Sequence, residues 1–295
     1  MTAQPSSSSR LFLELSPAEL AARHGLTRVG VRPALPAYVR SLWERRQFAV
    51  SLAAAKAYAR NQGSYLGQLW ALLTPLLWAG VYLLVFGVLL GTSRGVENFV
   101  GFLVVGVFLF HFTSASVVAG SKAIIGKQAL IASLQFPRAV LPIATVLAEL
   151  FTLLPALLVL VVLVPLSGEP VQASWLLLPA AVALQWVFGT GVALIASRLV
   201  SEYRDLKQLV PFVLRILMYT SGVFFSIDHY VGAGQGAGML THQPVAVYLE
   251  LGRASLLTEV TASASTWLWG VGWAVATCAL GFVYFWRSEA RYGRG

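Results

Sequence analysis

The sequence predicts an all-α, polytopic membrane protein. It has six transmembrane helices, an N-terminal interfacial helix, a helix-forming loop on the basic side and two re-entrant helices on the opposite side. Three observations predict this. Of the 295 residues, 57% are hydrophobic and only 11% charged, with a mean hydropathy of +0.73. An ordinary soluble domain is about 45–50% apolar and about 25% charged, so the excess apolar surface must face lipid. Six apolar segments approach the length of a span, at 69–90, 99–118, 140–166, 175–199, 209–225 and 267–286. Lastly, the basic residues segregate to alternate flanks of those segments.

The segregation sets the orientation. Arg40, Arg45, Arg46, Lys56 and Arg60 precede the first span, and Lys122, Lys127 and Arg138 follow the second. Arg198, Arg204 and Lys207 follow the fourth, and Arg287, Arg291 and Arg294 the sixth, leaving only Arg94 and Arg253 on the other side. Lysine and arginine concentrate in cytoplasmic loops, so both termini are expected in the cytoplasm, with the chain in the inner (plasma) membrane. The fifth span is short and carries Arg215.

Residues 1–36 read as a cytoplasmic lead. Ser16-Pro17-Ala18-Glu19 forms a capping box, and no signal peptide is expected because Leu11-Phe12-Leu13 is too short for its apolar core. Residues 37–61 read as one basic amphipathic helix lying in the membrane interface. Tyr38, Leu42, Ala49, Leu52 and Ala53 share one side, and Arg40, Glu44, Gln47 and Ser51 another. Trp43 suits that depth.

Residues 62–295 form the membrane domain. In the loop 120–138, residues 121–133 are expected to form a short cytoplasmic helix ended before Pro137. On the outer side, a glycine run from Gly232 to Gly238 offers a hinge of low steric restriction. An apolar segment from Pro244 to Leu257 follows. It is too short to span and therefore reads as re-entrant.

Catalytic signatures are scarce. Gly126-Lys127-Gln128 is the nearest approach to a phosphate-binding loop, but its glycine spacing is one too long and Gln128 replaces the magnesium-holding hydroxyl. Gly232-Ala233-Gly234-Gln235-Gly236-Ala237 has no preceding strand and reads as a flexible turn. His24, His111, His229 and His242 share no metal-ligand spacing, and a lone intramembrane His111 is expected to hydrogen-bond between helices. One cysteine, Cys278, excludes an internal disulfide. The net charge of +9 is too scattered for nucleic acid. Two ionisable residues fall inside spans, Glu149 and Arg215, at overlapping depths. A pair between them is geometrically possible, and either could instead line a polar conduit.

Several motifs carry a resemblance. Gly63-Ser64-Tyr65-Leu66-Gly67-Gln68-Leu69-Trp70, then Thr74-Pro75-Leu76 and Val85-Phe86-Gly87, resemble the entry to the first span of type-2 ATP-binding cassette (ABC) permeases. More narrowly, they are similar to the exporters of O-antigen, teichoic acid or galactan. Phe136-Pro137-Arg138-Ala139-Val140-Leu141-Pro142, Tyr203-Arg204-Asp205-Leu206, Ser221-Gly222-Val223-Phe224-Phe225 and Gln243-Pro244-Val245 with Tyr248, Glu250 and Arg253 extend the resemblance over residues 40–290. Gln243 stands where asparagine is commoner in that family.

The resemblance implies a homodimer with two separate nucleotide-binding subunits. Those partners would carry ATP and Mg2+, and this chain would carry no cofactor and perform no catalysis. Its cargo would be a polysaccharide on a polyprenyl diphosphate lipid. It implies that the loop 120–138 is a coupling helix, meeting the ATPase through Lys122, Lys127, Leu130, Ile131, Phe136 and Arg138. Arg40, Arg45, Arg46, Lys56 and Arg60 would face the lipid headgroup. Trp78, Tyr82, Phe108, Phe110 and Tyr219 would line the channel with Glu149 and Arg215. Residues 226–264 would be two gate helices, with Gly232, Gly238, Pro244, Tyr248, Leu251 and Arg253 as gate residues. Two alternatives stand beside this reading. One is export of a drug or small lipid by the same superfamily. The other is a membrane glycosyltransferase, for which only Asp228 and His229 are candidates.

Overall fold

In a computed structural model the described residues are 16, 33–60, 62–85, 96–227 and 235–292. They are all-helical apart from turns and links. In chain order the helices are α1 (Leu35–Glu44), α2 (Arg46–Ala59), α3 (Trp70–Tyr82), α4 (Phe99–Ser121), α5 (Gln128–Ser133), α6 (Val140–Leu166), α7 (Leu178–Glu202), α8 (Leu206–Thr220), α9 (Gln235–Thr241), α10 (Pro244–Leu256) and α11 (Ala264–Arg287). Among the described residues four segments are long and apolar enough to cross a membrane: Phe99–Ser121, Val140–Leu166, Ala173–Glu202 and Ala264–Arg287. Asp228, His229, Gly232 and nearly all of the 1–36 lead lie outside the described residues.

α4 is the centre of the bundle. Phe102, Leu103, Val105, Phe108, Leu109 and Phe112 are buried around its circumference, against α6, α7 and α10. The outer helices reverse the soluble pattern. Leu158 and Val162 of α6, and Leu268, Val275 and Leu280 of α11, are exposed apolar side chains. Such a band is stable only where the solvent is hydrocarbon.

α7 and α11 cross at glycine. A Cβ at Gly191 would collide with the Thr277–Cys278 backbone, and one at Gly281 with Gly191 itself. Small residues let helix backbones approach where burial alone offers no drive. Gln185, also buried, donates to Leu109 O at 2.8 Å and Thr113 Oγ1 at 2.7 Å, joining α7 to α4.

The polar ends sort cleanly. At one end Tyr38 of α1 donates to Glu289 Oε2 at 2.7 Å, and the Arg138 N–H donates to Glu289 Oε1 at 2.9 Å. The Ala139 N–H donates to the Tyr38 hydroxyl at 3.1 Å, and Ser288 donates to Glu202 at 3.4 Å. The interfacial region, the loop after α4, the end of α7 and the tail therefore meet. At the other end Asn98 caps α4 and donates to Ser167 and Glu169, while Glu259 accepts from the Glu97 and Asn98 N–H groups. Residues flanking four of the basic segments thus meet at one end.

Three local expectations are corrected. The 37–61 helix is two helices, broken at Arg45. The 121–133 helix is not continuous. α4 runs on to Ser121, a tight turn follows at Ile125–Lys127, and only Gln128–Ser133 is α-helical. Burial of Ala123 and Ile124 against Tyr38 and Phe285 pulls the chain inward and breaks the helix. The glycine run is not a free hinge throughout, since Gly236 and Gly238 lie within α9 and the α9–α10 link is His242-Gln243.

Candidate functional site

α2 packs in register along α6. Ala49 and Ala53 bury against Val140, Ala144 and Ala148. One turn on, Lys56 Nζ donates to Thr145 Oγ1 at 3.2 Å, and Arg60 Nη2 then meets Glu149 Oε1 at 2.5 Å. Both partners advance four residues, so the helices run in the same direction. Glu149 lies nine residues beyond Val140, about 14 Å along α6 at 1.5 Å per residue. α2 therefore leans up α6 and delivers two cations to it, rather than laying both on lipid phosphates. Burial pushes the Lys56 ammonium below its ordinary value, and the Glu149 carboxylate opposes that shift.

Above this junction opens a cleft of about 430 Å³ between α3, α4, α6 and α8. Trp70, Trp78, Phe108 and Phe110 form its aromatic wall. Arg60, His111, Glu149, Thr152 and Arg215 supply its polar groups. The Glu149 side chain is 2% exposed and that of Arg60 46%, so a rim cation reaches in to a buried anion. Burying a carboxylate costs several kcal/mol unless a cation and hydrogen bonds meet it, and Arg60 and the Thr152 hydroxyl do so.

The expected Glu149–Arg215 pair is not formed. Glu149 is paired with Arg60, while Arg215 is exposed and faces the same cleft from α8. His111 is also not bonded between helices. It lines the cleft and has no hydrogen-bond partner among the described residues. Trp78, Phe108 and Phe110 line the cleft. Tyr219 is not, because it is exposed and packs on Phe224 with ring centroids 5.7 Å apart. The Tyr82 side chain is outside the described set.

Of the basic residues expected at the headgroup, Arg40, Arg45 and Arg46 are exposed. Arg40 pairs with Glu44 at 3.0 Å, and Arg46 lies 5.2 Å over the Trp43 ring. Of the loop residues, Lys122 and Lys127 are exposed and Leu130 is partly so. Ile131 is buried, Phe136 packs edge-on against Phe48, and Arg138 is tied to Glu289. All three make contacts within the chain, Ile131 buried and Phe136 and Arg138 partly exposed.

Tyr248, Leu251 and Arg253, expected at the gate, pack inside the protomer. α10 runs antiparallel to α11, with Tyr248 donating to Gly270 O at 2.8 Å and Trp273 donating to His242 O at 2.9 Å. Tyr248 and Leu251 are 1% and 0% exposed within the protomer, so neither faces a second copy. Arg253 is buried too. Its guanidinium donates to Phe102 O, Gly222 O and Val223 O at 3.1, 2.9 and 2.9 Å and stacks on the Phe102 ring. A Cβ at Gly106 would collide with it. Arg253 thus joins α4, the end of α8 and α10. The sequence carried one hint of this, a glycine on α4 within a run of large residues.

These features define a polytopic membrane protein with a cationic, aromatic cleft among its helices. The ABC-2 type transporter family matches residues 48–235, and the chain belongs to that family. It is 29% identical over 207 residues to the O-antigen export system permease protein RfbA of Myxococcus xanthus, covering 70% of this chain and 79% of that one. Two proteins of the same name from Klebsiella pneumoniae are 28% and 26% identical over 170 residues, each alignment covering 57% of this chain and 65% of the relative. The chain is therefore a membrane protein of the ABC-2 transporter type. Membership implies a membrane setting and an ABC ATPase partner.

Proposed function

We propose that the chain is the transmembrane subunit of an exporter that moves a polysaccharide on a polyprenyl diphosphate lipid from the cytoplasmic to the outer side. Two copies form the pathway, and ATP hydrolysis in two separate subunits drives it. In this reading the chain has six spans, with α3 and α8 as the first and fifth, and the Glu289 clamp and both termini lie in the cytoplasm of an inner-membrane protein. The observation that carries the reading is the cleft. An indole and phenyl wall suits sugar rings and isoprenoid chain, and guanidinium groups at the same level suit a diphosphate.

Within this reading the exposed face of α5 and its flanks docks on the ATPase. The α9–α10 hairpin reaches His242 beside Trp273, nine residues from the start of α11 or about 14 Å. It forms the outer end of the pathway. Cells lacking the chain should retain lipid-linked glycan in the inner leaflet, and cells carrying a hydrolysis-dead partner ATPase should do the same. Normal surface glycan with accumulation of a small lipid or drug would favour the small-cargo exporter instead.

A further inference from the structure

The cleft is not electrically balanced. Among the described residues Glu149 is the only carboxylate lining it, against the guanidinium groups of Arg60 and Arg215. Arg60 is neutralised by Glu149. Arg215 has no ion-pair partner among the described residues, and His111 faces the same space from α4. Lys56 adds a further cation one turn below, resting on the Thr145 hydroxyl, which cannot neutralise it. An exposed guanidinium that lines the cleft is open to an anion entering there. Arg60 is also half exposed, whereas Glu149 is buried. Arg60 can therefore turn from the carboxylate towards the open cleft.

We propose that the cleft is an anion-exchange site for a phosphate or diphosphate headgroup carried on an apolar chain. Arg215, Arg60 and His111 bind the headgroup, and Glu149 is the internal anion it displaces from Arg60. The proposal rests on the export reading for the class of cargo. At rest Glu149 occupies Arg60, so the site does not hold two unpaired guanidinium groups. When the headgroup arrives, Arg60 turns to it and Glu149 passes to Lys56. The Lys56 ammonium already lies beside Thr145, one turn from Glu149 on α6. Trp70, Trp78 and Phe108 hold the apolar chain or the first sugar. The headgroup leaves when Glu149 recaptures Arg60, which keeps binding reversible.

The test uses the full chain in zwitterionic lipid nanodiscs, titrated calorimetrically with farnesyl diphosphate. Farnesol and inorganic pyrophosphate are the controls. Exchange predicts opposite signs at neighbouring residues: Glu149→Gln tightens binding, because the competitor is gone, while Arg215→Gln weakens it about tenfold and Arg215→Lys less. Farnesol and pyrophosphate should each bind far more weakly than farnesyl diphosphate. A purely structural Arg60–Glu149 pair would make Glu149→Gln and Arg60→Gln weaken binding alike, which overturns the exchange. Unchanged affinity in Arg215→Gln overturns the site. Pyrophosphate binding as tightly as farnesyl diphosphate would assign a free-anion site and overturn the lipid assignment. Arg215 is exposed, so its variants decide the matter even if Glu149→Gln fails to fold. Lost binding with normal glycan export removes the site and leaves the export reading standing. Retained binding in a chain that exports no glycan supports the site and removes that reading.

Discussion

Arg60 at the end of α2 holds Glu149 of α6, 89 residues away in sequence, at 2.5 Å. The pair fixes how the N-terminal helices meet the bundle. α2 climbs α6 for about 14 Å and ends with its last cation in the cleft, instead of lying flat beneath it.

Removing either partner should not cost the same. Arg60→Gln strands a carboxylate that is 2% exposed, whereas Glu149→Gln strands a guanidinium that can turn outward. Unfolding in detergent should show a loss of about 1–3 kcal/mol for Arg60→Gln and less for Glu149→Gln. The double variant should recover part of the larger loss. Arg215→Gln should leave the melting midpoint unchanged. Equal coupling of Glu149 to Arg215 would contradict the pairing.

Arg253 and Gly106 form one contact. Arg253→Met removes three donors from buried carbonyls, and Gly106→Ala pushes the guanidinium aside. Each should lower stability by about 3 kcal/mol. The shorter, uncharged methionine leaves room for the added methyl, so Gly106→Ala should cost little in the Arg253→Met background. Additive losses in thermal melts would show that the two do not meet.

The Glu289 clamp predicts a pH dependence. Burial holds the Glu289 carboxyl above its ordinary value of 4.5, partly offset by the Arg138 N–H, the Tyr38 hydroxyl and the Arg138 charge. Burial likewise raises Tyr38 and Tyr292. A raised carboxyl favours the folded state most below 4.5, and that contribution is lost as pH rises through the raised value. The melting midpoint of the wild type relative to Glu289→Gln should therefore fall as pH rises from 4.5. Tyr38→Phe leaves the Glu289 carboxylate and the Ala139 N–H short of a partner, at a cost of about 1–3 kcal/mol. A flat difference between wild type and Glu289→Gln across pH would contradict the clamp.

The loop after α4 separates docking from packing. Ala129→Asp and Leu134→Asp alter exposed positions and should abolish co-purification with the ATPase at wild-type melting temperature. Ile131→Asp puts a carboxylate into the cluster of Tyr38, Ile124 and Phe285 and should lower that temperature instead. A folded Ile131→Asp chain that merely fails to bind would reverse the assignment.

The helices were legible where apolar runs have sharp ends. The expected span at 140–166 coincides with Val140–Leu166, because Pro137 and Gly168 bracket the run. The expected apolar piece beginning at Pro244 matches Pro244–Leu256. What sequence could not resolve was the direction of long cationic side chains. Arg253 counts as an outer flank charge, yet carbonyls absorb it internally. For Lys56 and Arg60 a signal was present. Ala49, Ala53, Lys56 and Arg60 are spaced four, three and four apart, so the buried stripe of α2 continues into its basic residues. The possible Glu149–Arg215 pair was read from two charges inside spans, and the pattern of spans gave no sign that Arg60 meets Glu149 first.

The central claim is ATP-driven movement of a lipid-linked glycan through this chain. The most direct measurement places the chain and its partner ATPase in proteoliposomes loaded with a labelled polyprenyl diphosphate glycan, and follows labelled sugar with a lectin confined to the far side. Lectin accessibility should appear only with ATP and Mg2+, be lost with a hydrolysis-dead partner, and fall in Arg215→Gln. Accessibility that never changes with ATP, while the complex is intact and hydrolysing, would contradict it.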